Sequence, residues 1–321
     1  MRTPRSVCDE IEPDLLAVAT GEASARAVER VDGHVATCRS CREELGHYRV
    51  VDGMVGELRA APLAGEDGTL ARAELVSRLA DLRSRMVGYG IFPSPLGPVL
   101  IARSEHGVAL VQYLHKAGSI PGHVRRLLGE DAVEDRAATE TLSAELIEYL
   151  EGRRARLDWP LDSGRMRSEF QRRVLEATAA LPYGAVASYA GIAARIGAPS
   201  AVRSVAQALR WNPLPIVIPC HRVIGSTGAL TGYAGKHVEL KQRLLAVEGV
   251  RTVAAHHDFK VRREAMYTLM DGEREYCVPT CGSLSSQPLS VLTLFGTRER
   301  AEAAGFSPCT SCRPDLHPLP A

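Results

Sequence analysis

The sequence predicts a small α/β part followed by a mostly helical part, with a compact cysteine-containing module at each end. Three observations support this prediction. β-prone runs alternate with turn signals between residues 88 and 114, apolar residues recur at helical spacing from residue 168 onward, and seven of the eight cysteines cluster near the two ends. With 321 residues, 45% of them hydrophobic, the chain can form a core and is long enough for several domains.

We divide the chain into five segments, from the cysteine positions and from the changes in hydrophobic pattern. The segment between the first module and the α/β part is predicted as a helical connector, because AELVSRLADLRSRM has apolar residues at helical spacing after the flexible PLAGEDG. The five expected segments are a helical module at 1–60, the connector at 61–86, an α/β subdomain at 87–165, a helical subdomain at 166–251 and a four-cysteine module at 262–321.

The α/β part begins with GYGIFPSPLGPVLIARSEHGVALVQYL, whose turn signals SPLG and SEHG predict two hairpins or a small sheet. TETLSAELIEYLEG follows as a helix that ends at a glycine. From SEFQRRVLEATAAL onward the pattern is helical, with interruptions at PYGAV and at the rigid run NPLPIVIPC.

Composition and charge narrow the class of protein. The first twenty residues carry four acidic side chains where a signal peptide would be apolar, and no stretch approaches membrane-spanning length. We therefore expect a cytoplasmic protein without membrane contact, whose cysteines are metal ligands or nucleophiles. Residues 166–251 hold 11 Lys/Arg against 4 Asp/Glu, a formal charge of +7, so this segment is the one expected to contact a polyanion.

The isolated Cys220 lies in IPCHRV, between a proline and His221, at the end of an apolar run. A thiol is a good nucleophile only as the thiolate, and a neighbouring imidazole can take its proton directly or through water. A buried cysteine beside a histidine is more often a packing residue, however, so this local pattern leaves both interpretations open.

The stretches around Cys220 support the chemical interpretation. LPYGAVASYAGIAARIG, SAVRSVAQALRWNPLPIVIPCHRV and STGALTGYAG resemble the O6-alkylguanine-DNA alkyltransferase family, over roughly residues 87–250. The resemblance implies a small ribonuclease-like α/β subdomain followed by a helix-turn-helix catalytic subdomain. It also implies DNA repair by irreversible transfer of an alkyl group from O6 of guanine to the protein's own cysteine. No cofactor is needed, and each molecule reacts once because a thioether is a poor leaving group.

The same resemblance assigns roles to individual residues. Cys220 is the alkyl acceptor, His221 activates it through a water, and Glu248 orients the imidazole, in the logic of a catalytic triad. Asn212 ties the rigid PLP turn to the active-site segment, and Tyr189 donates to the departing base. The pocket around the guanine is formed by Tyr233, the N–H of Ala234 and the carbonyls of Cys220 and Val223. For an isolated tyrosine, simple packing would be the ordinary interpretation.

The partner implied by the resemblance is double-stranded DNA, contacted in the minor groove with the damaged base flipped out. ASYAGIAARIG and APSAVRSVAQALRW form the helix-turn-helix, in which the small Ala201 and Ser204 allow close approach to the DNA backbone. Arg203 fills the space left by the flipped base. The alternative interpretation of Arg203 is an ordinary helix residue exposed to solvent. The chain departs from the family at Trp211, where glycine is usual, and at Lys236.

Two cysteine clusters suggest zinc, so we expect two structural zinc ions. Cys8 with His34-x3-Cys38-x2-Cys41 resembles the zinc-binding anti-sigma factor module over residues 5–50, with His34 and Cys38 expected on one helix face. The alternative is a helical hairpin whose cysteines only pack. The acidic balance of residues 1–60, at −3, favours a protein partner such as a sigma factor over DNA.

The second cluster consists of Cys277-x3-Cys281 and Cys309-x2-Cys312, a four-thiolate zinc pattern. With YCVPTC it resembles the metal-binding domain of adaptive-response methyl-sensor proteins, in which the position of Cys277 accepts methyl groups from phosphotriesters. The family's Arg-rich stretch is replaced here by GSLSSQPLSVLTLF, without Lys or Arg. We therefore expect tight zinc binding with weak or absent phosphotriester repair.

Two other function classes share features with the alkyltransferase interpretation. A DNA-binding protein without chemistry is disfavoured because the acceptor cysteine is present. An alkylation-responsive transcriptional regulator, in which the zinc modules transmit the signal, is compatible with the repair activity.

Overall fold

The structure is a computed structural model that describes residues 7–60, 72–79, 86–114, 120–129, 132–235, 237–255, 258–282 and 284–320. The chain forms two compact units, residues 1–79 and 80–321. Among the described helices, none is both long and apolar enough to cross a membrane.

The first unit is helical. Its helices are α1 (Val7–Ala19), α2 (Ala25–Thr37), α3 (Arg39–Ala60) and α4 (72–79). Ser24 caps α2 by accepting a hydrogen bond from the Ala27 N–H, which satisfies a donor that the first turn leaves free. The unit has a small core in which Leu15 and Val31 are fully buried. The connector predicted at 61–86 is helical over 72–79, and its other residues up to 85 lie outside the described residues.

The second unit begins with the predicted small sheet. Strands β1 (Gly88–Phe92), β2 (Val99–Ser104) and β3 (Gly107–Tyr113) form an antiparallel meander, and β4 (Val133–Glu134) pairs in parallel with β1. The turn signals SPLG and SEHG lie at the two connections. Gly107 has φ +135°, and a Cβ there would lie 2.3 Å from the carbonyl oxygen of Pro160, so both the turn and the close approach require glycine. Helices α5 (Ile120–Leu128) and α6 (Arg136–Leu150) accompany this sheet.

The helical part follows as predicted. It consists of α7 (Glu169–Ala179), α8 (Tyr189–Arg195), α9 (Val202–Arg210) and α10 (Val238–Val247). The interruption at PYGAV continues as strand β5 (Ala185–Ser188), and the run NPLPIVIPC leads into a 3-10 helix, Cys220–Arg222, and strand β6 (Val223–Ile224). One apolar core joins the meander, α6 and this helical part, and includes Cys220 itself. The α/β plus helix-turn-helix fold class is therefore confirmed.

The four-cysteine module forms one continuous sheet with the helical part. Its strands β9 (Tyr267–Met270), β10 (Glu275–Cys277), β11 (Leu292–Phe295) and β12 (Ser307–Pro308) join β5 and β6 in the order β12-β10-β9-β11-β5-β6. Strand β11 pairs antiparallel with β5, in the register Leu294 opposite Val186. A hairpin of β7 (Thr252–Ala255) and β8 (Asp258–Val261) precedes these strands, and helix α11 (Arg298–Ala303) follows β11.

Candidate active site and metal centres

Cys220 lies at the start of the short 3-10 helix and is buried, with 9% of its surface exposed. Asn212 holds the preceding turn in place. Its Nδ2 donates to the carbonyl of Ile218 at 3.0 Å and contacts Cys220 Sγ at 3.3 Å, while its Oδ1 accepts from the Leu214 N–H at 2.9 Å. The amide side chain of Asn212 therefore connects the turn to the active-site segment and holds the Cys220 thiol in place.

A buried hydrogen-bond network lies behind the thiol. His221 Nε2 is 2.6 Å from Glu248 Oε1, and Arg222 Nε donates to Glu248 Oε2 at 2.8 Å. The Tyr149 hydroxyl also donates to Glu248, and the Gly184 N–H donates to Oε2 at 3.0 Å. Because every bond to this carboxylate comes from a donor, Glu248 is held as an acceptor and His221 carries its proton on Nε2.

This proton position leaves a lone pair on His221 Nδ1 that can accept a proton. His221 Nδ1 is buried, and it has no hydrogen-bond partner among the described residues. Burial lowers the pKa of His221 against the opposing effect of Glu248, so the imidazole is neutral at pH 7. Burial also raises the pKa of the Cys220 thiol, which Asn212 and Lys241 partly offset. The resting site therefore pairs a neutral thiol with a neutral imidazole that can accept its proton.

The carboxylate of Glu248 stays ionised in spite of its burial. Burial alone would raise its pKa, but the Arg222 guanidinium and the hydrogen bonds from His221 and Arg222 hold that pKa well below the usual range. A charged carboxylate at this position fixes the imidazole tautomer and can stabilise a positive charge on the ring.

The predicted pocket residues are connected through backbone carbonyls. The Tyr189 hydroxyl donates to the Thr231 carbonyl at 3.2 Å, and the buried Lys241 amine donates to the same carbonyl at 3.2 Å and to that of Val223. The hydroxyls of Tyr233 and Tyr113 lie 3.1 Å apart. Ala234, whose N–H is a predicted pocket donor, has φ +42°, the left-handed conformation that turns backbone N–H groups toward one side.

The predicted helix-turn-helix is formed by α8 and α9. Helix α9 buries Val205, Ala208 and Leu209 and exposes Arg203 and Ser204, with Ala201 half-buried at its N-cap. The guanidinium of Arg167 stacks on the half-exposed Trp211 at 4.1 Å. The other departure from the family pattern, Lys236, lies outside the described residues.

Sequence reasoning missed three members of this site: Arg222, Tyr149 and Lys241. Arg222 stands in the same IPCHRV motif as Cys220, so the motif contained the signal. Tyr149 and Lys241 lie on helices α6 and α10, where nothing in the sequence separates them from ordinary helix residues. Burial lowers the pKa of Lys241 to about 8, which shows how far this amine is removed from water.

The N-terminal cluster brings its four predicted ligands together. Cys8 Sγ lies 3.6 Å from His34 Nε2 and 3.9 Å from Cys38 Sγ, and His34 Nε2 lies 3.2 Å from Cys41 Sγ. All four atoms are within 4.8 Å of one another, which fits a tetrahedral zinc site. One expectation needs correction: His34 and Cys38 do not share a helix face. Helix α2 ends at Thr37, and Cys38 is the capping residue after it, with an extended backbone (φ −104°, ψ 109°).

The C-terminal cluster is also assembled. The sulfurs of Cys277, Cys281, Cys309 and Cys312 lie within 4.8 Å of one another. Burial, together with the neighbouring thiols, raises the pKa of Cys277. Thiols crowded in this way are expected to exchange their protons for a thiophilic cation such as zinc. Cys277, Cys281 and Cys309 are at least 92% buried, since their exposed fractions are 4%, 8% and 7%.

Comparison with protein-family profiles gives three matches along the chain. Residues 87–163 match the 6-O-methylguanine DNA methyltransferase ribonuclease-like domain, and residues 169–250 match the DNA-binding domain of the same family. Residues 262–315 match the metal-binding domain of Ada.

Individual proteins agree with these profiles. The chain is 37% identical to a methylated-DNA–protein-cysteine methyltransferase of Methanosarcina acetivorans, over 50% of this chain and 97% of that protein. It is 37% identical to the constitutive methylated-DNA–protein-cysteine methyltransferase of Bacillus subtilis, over 50% of this chain and 95% of that protein. A crystal structure of the Mycobacterium tuberculosis O6-methylguanine methyltransferase is 36% identical over 53% of this chain and 97% of that chain, with a TM-score of 0.45.

Proposed function

The chain belongs to the O6-alkylguanine-DNA alkyltransferase family, and from this premise we propose that it repairs DNA by moving an alkyl group from O6 of guanine onto Cys220. The observation that carries the proposal is the buried arrangement of Cys220, His221 and Glu248 with a free imidazole nitrogen on His221. A merely packed cysteine would need neither the ionised carboxylate nor the unpaired Nδ1.

The reaction is a displacement at the alkyl carbon. The Cys220 thiol gives its proton to His221 Nδ1, directly or through one water, and the resulting thiolate forms a bond to the alkyl carbon. The bond between that carbon and O6 breaks, and its electron pair goes to the guanine, which takes a proton from the Tyr189 hydroxyl. The proton held by His221 is released to solvent, and solvent returns a proton to Tyr189. The products are guanine and S-alkylcysteine. Nothing in this sequence of steps restores the thiol, so one chain performs one transfer.

We propose that guanine recognition uses backbone groups near Lys241, whose amine holds the carbonyls of Val223 and Thr231 in place. The carbonyl of Val223 and that of Cys220 accept from the exocyclic amine, and the N–H of Ala234 with Tyr233 lies toward O6. We propose that Arg203, exposed on α9, fills the space of the flipped base in the minor groove of duplex DNA. The charge of +7 on residues 166–251 supports contact with phosphates.

We further propose that each cysteine cluster binds one structural zinc ion and that the four-cysteine module does not repair phosphotriesters. The stretch GSLSSQPLSVLTLF supports the second statement, because it offers no Lys or Arg to a DNA phosphate that approaches Cys277. Sigma-factor binding by the first module, a cytoplasmic location and the domain boundaries given above stay predictions.

The proposal is tested with duplex DNA carrying labelled O6-methylguanine, followed by peptide mapping. We expect about one methyl group per chain, on Cys220, without turnover. Cys220→Ala should abolish transfer and keep duplex binding, whereas Cys38→Ser, which changes a thiol of the first unit, is the control that should keep transfer. Multiple turnover, or transfer by Cys220→Ala at the wild-type level, would refute the assignment.

A further inference from the structure

The four-cysteine module contacts helix α8 at the start of that helix. Ser188 caps α8 by accepting a hydrogen bond from the Gly191 N–H at 2.9 Å, and its hydroxyl donates to the Leu289 carbonyl of the module at 3.0 Å. A Cβ on Gly191 would lie 3.5 Å from the Ser290 carbonyl oxygen, so the module packs directly against the helix backbone. The module therefore holds Ser188, the residue that caps the start of α8.

The module also holds the end of α8. Arg195, the last residue of the helix, donates from Nε and Nη2 to the two carboxylate oxygens of Asp271, at 2.9 and 2.6 Å. Its Nη2 also donates to the Thr293 hydroxyl at 2.6 Å, and that hydroxyl donates to Asp271 at 2.9 Å. The two charged side chains are each 24% exposed, so water screens this pair less than an open surface pair.

These contacts act on a helix that matters for DNA. Helix α8 begins at Tyr189, and the turn after Arg195 leads into α9, which carries Arg203. Asp271 and Thr293 lie outside both methyltransferase profiles, which end at residues 163 and 250. A planar guanidinium bound to two acceptors restricts orientation as well as distance. The contact therefore restricts the orientation of the end of α8, and with it the direction in which the following turn leads into α9.

We infer that Asp271 and Thr293 are positioning residues for alkyl transfer from duplex DNA, acting through Arg195 on the helix-turn-helix. The inference rests on the proposed function. Duplex DNA requires α8 and α9 at a set orientation to hold the strand and extrude the base. A free base requires only the pocket around Cys220. Loss of the contact should therefore affect duplex DNA selectively.

The test compares Asp271→Ala and Thr293→Val with wild type. Asp315→Ala is the matched control, because Asp315 forms a similar two-point ion pair with Arg313 in the same module. Rates of methyl transfer are measured from duplex O6-methylguanine DNA and from free O6-methylguanine. We expect Asp271→Ala to lower the duplex rate about tenfold and the free-base rate by less than about twofold. Thr293→Val should show the same selectivity to a smaller extent, and the control neither change.

An unchanged duplex rate, or an equal loss on both substrates, would overturn the inference. If Asp271→Ala fails to fold, as judged by its thermal transition, Thr293→Val decides alone because it keeps the side-chain volume. If wild type transfers no methyl group at all, the proposed function fails separately. Duplex binding measured by fluorescence anisotropy then decides: weaker binding by Asp271→Ala supports the positioning role, and equal binding contradicts it.

Discussion

At the scale of single residues, Glu248 connects stability with chemistry. Its carboxylate is fully buried and accepts from His221, Arg222, Tyr149 and the Gly184 N–H. Arg222 is 6% exposed, and its guanidinium also donates to the Leu181 carbonyl. The Glu248 carboxylate compensates the positive charge of this buried side chain. Removing one partner of such a buried pair costs more than the pair contributes, because an uncompensated charge stays in the interior.

We expect Glu248→Gln to lower the free energy of unfolding by about 3 kcal/mol at pH 7. The folded pKa of Glu248 lies below its unfolded value, so its contribution is complete above about pH 4.3 and is lost as the pH falls through the folded pKa. Between pH 5 and pH 2 wild type should therefore lose more stability than the variant. Urea titrations measure both effects.

The control for this prediction is Glu176→Gln, which removes an exposed ion pair with Arg172 and should cost less than about 1 kcal/mol. Equal losses for the buried and the exposed glutamate would mean that the network contributes no more than a surface contact.

At the scale of elements, α9 separates two functions on its two faces. Val205, Ala208 and Leu209 fasten the helix to the core, and Arg203 and Ser204 face outward. The outer face carries a positive charge at Arg203, the second helical residue, close to the turn from α8, and another at Arg210, the last helical residue.

Arg203→Ala should lower the rate of transfer from duplex DNA more than that from the free base, because only the duplex requires extrusion of the base. Arg172→Ala removes the same charge from the same basic segment and controls for general attraction to phosphate. Single-turnover rates with both substrates give the comparison. A uniform effect of Arg203→Ala on the two substrates would assign it to the solvated surface instead.

The sequence predicted the elements better than their assembly. Turn signals and helical spacing located the meander, α6 and the helix-turn-helix, because these features depend on nearby residues. The site motif gave Cys220, His221, Glu248 and Asn212 as a group. Pairing of β11 with β5 could not be predicted, since both are four-residue strands separated by more than a hundred positions and carry no signal of their partner.

At the scale of the whole molecule, the two cysteine clusters have different surroundings. The N-terminal cluster belongs to a small core of its own around Leu15 and Val31. In the C-terminal cluster, Cys277, Cys281 and Cys309 belong to an apolar core that also contains Val186 of β5 and Ile224 of β6. These three cysteines therefore share a core with two strands of the methyltransferase part.

Loss of each site should consequently have a different effect. We expect Cys38→Ser to release zinc and melt the helices of residues 7–60 while transfer by Cys220 continues. Cys309→Ser should lower the melting temperature of the second unit as well as its zinc content. Zinc release assays and thermal circular dichroism measure both. The prediction fails if Cys309→Ser releases its zinc and leaves every thermal transition in place.

The shared sheet also sets an order of events during synthesis. Strand β5 is complete at Ser188, but its neighbour β11 begins at Leu292, so the ribosome adds about a hundred residues before that edge can be covered. Until then β5 presents unpaired backbone groups, the kind of edge along which nascent chains associate with one another. Slow elongation between these two strands would therefore lengthen the interval in which the edge of β5 can associate with another chain. Chaperones that shield exposed strands would act during that interval.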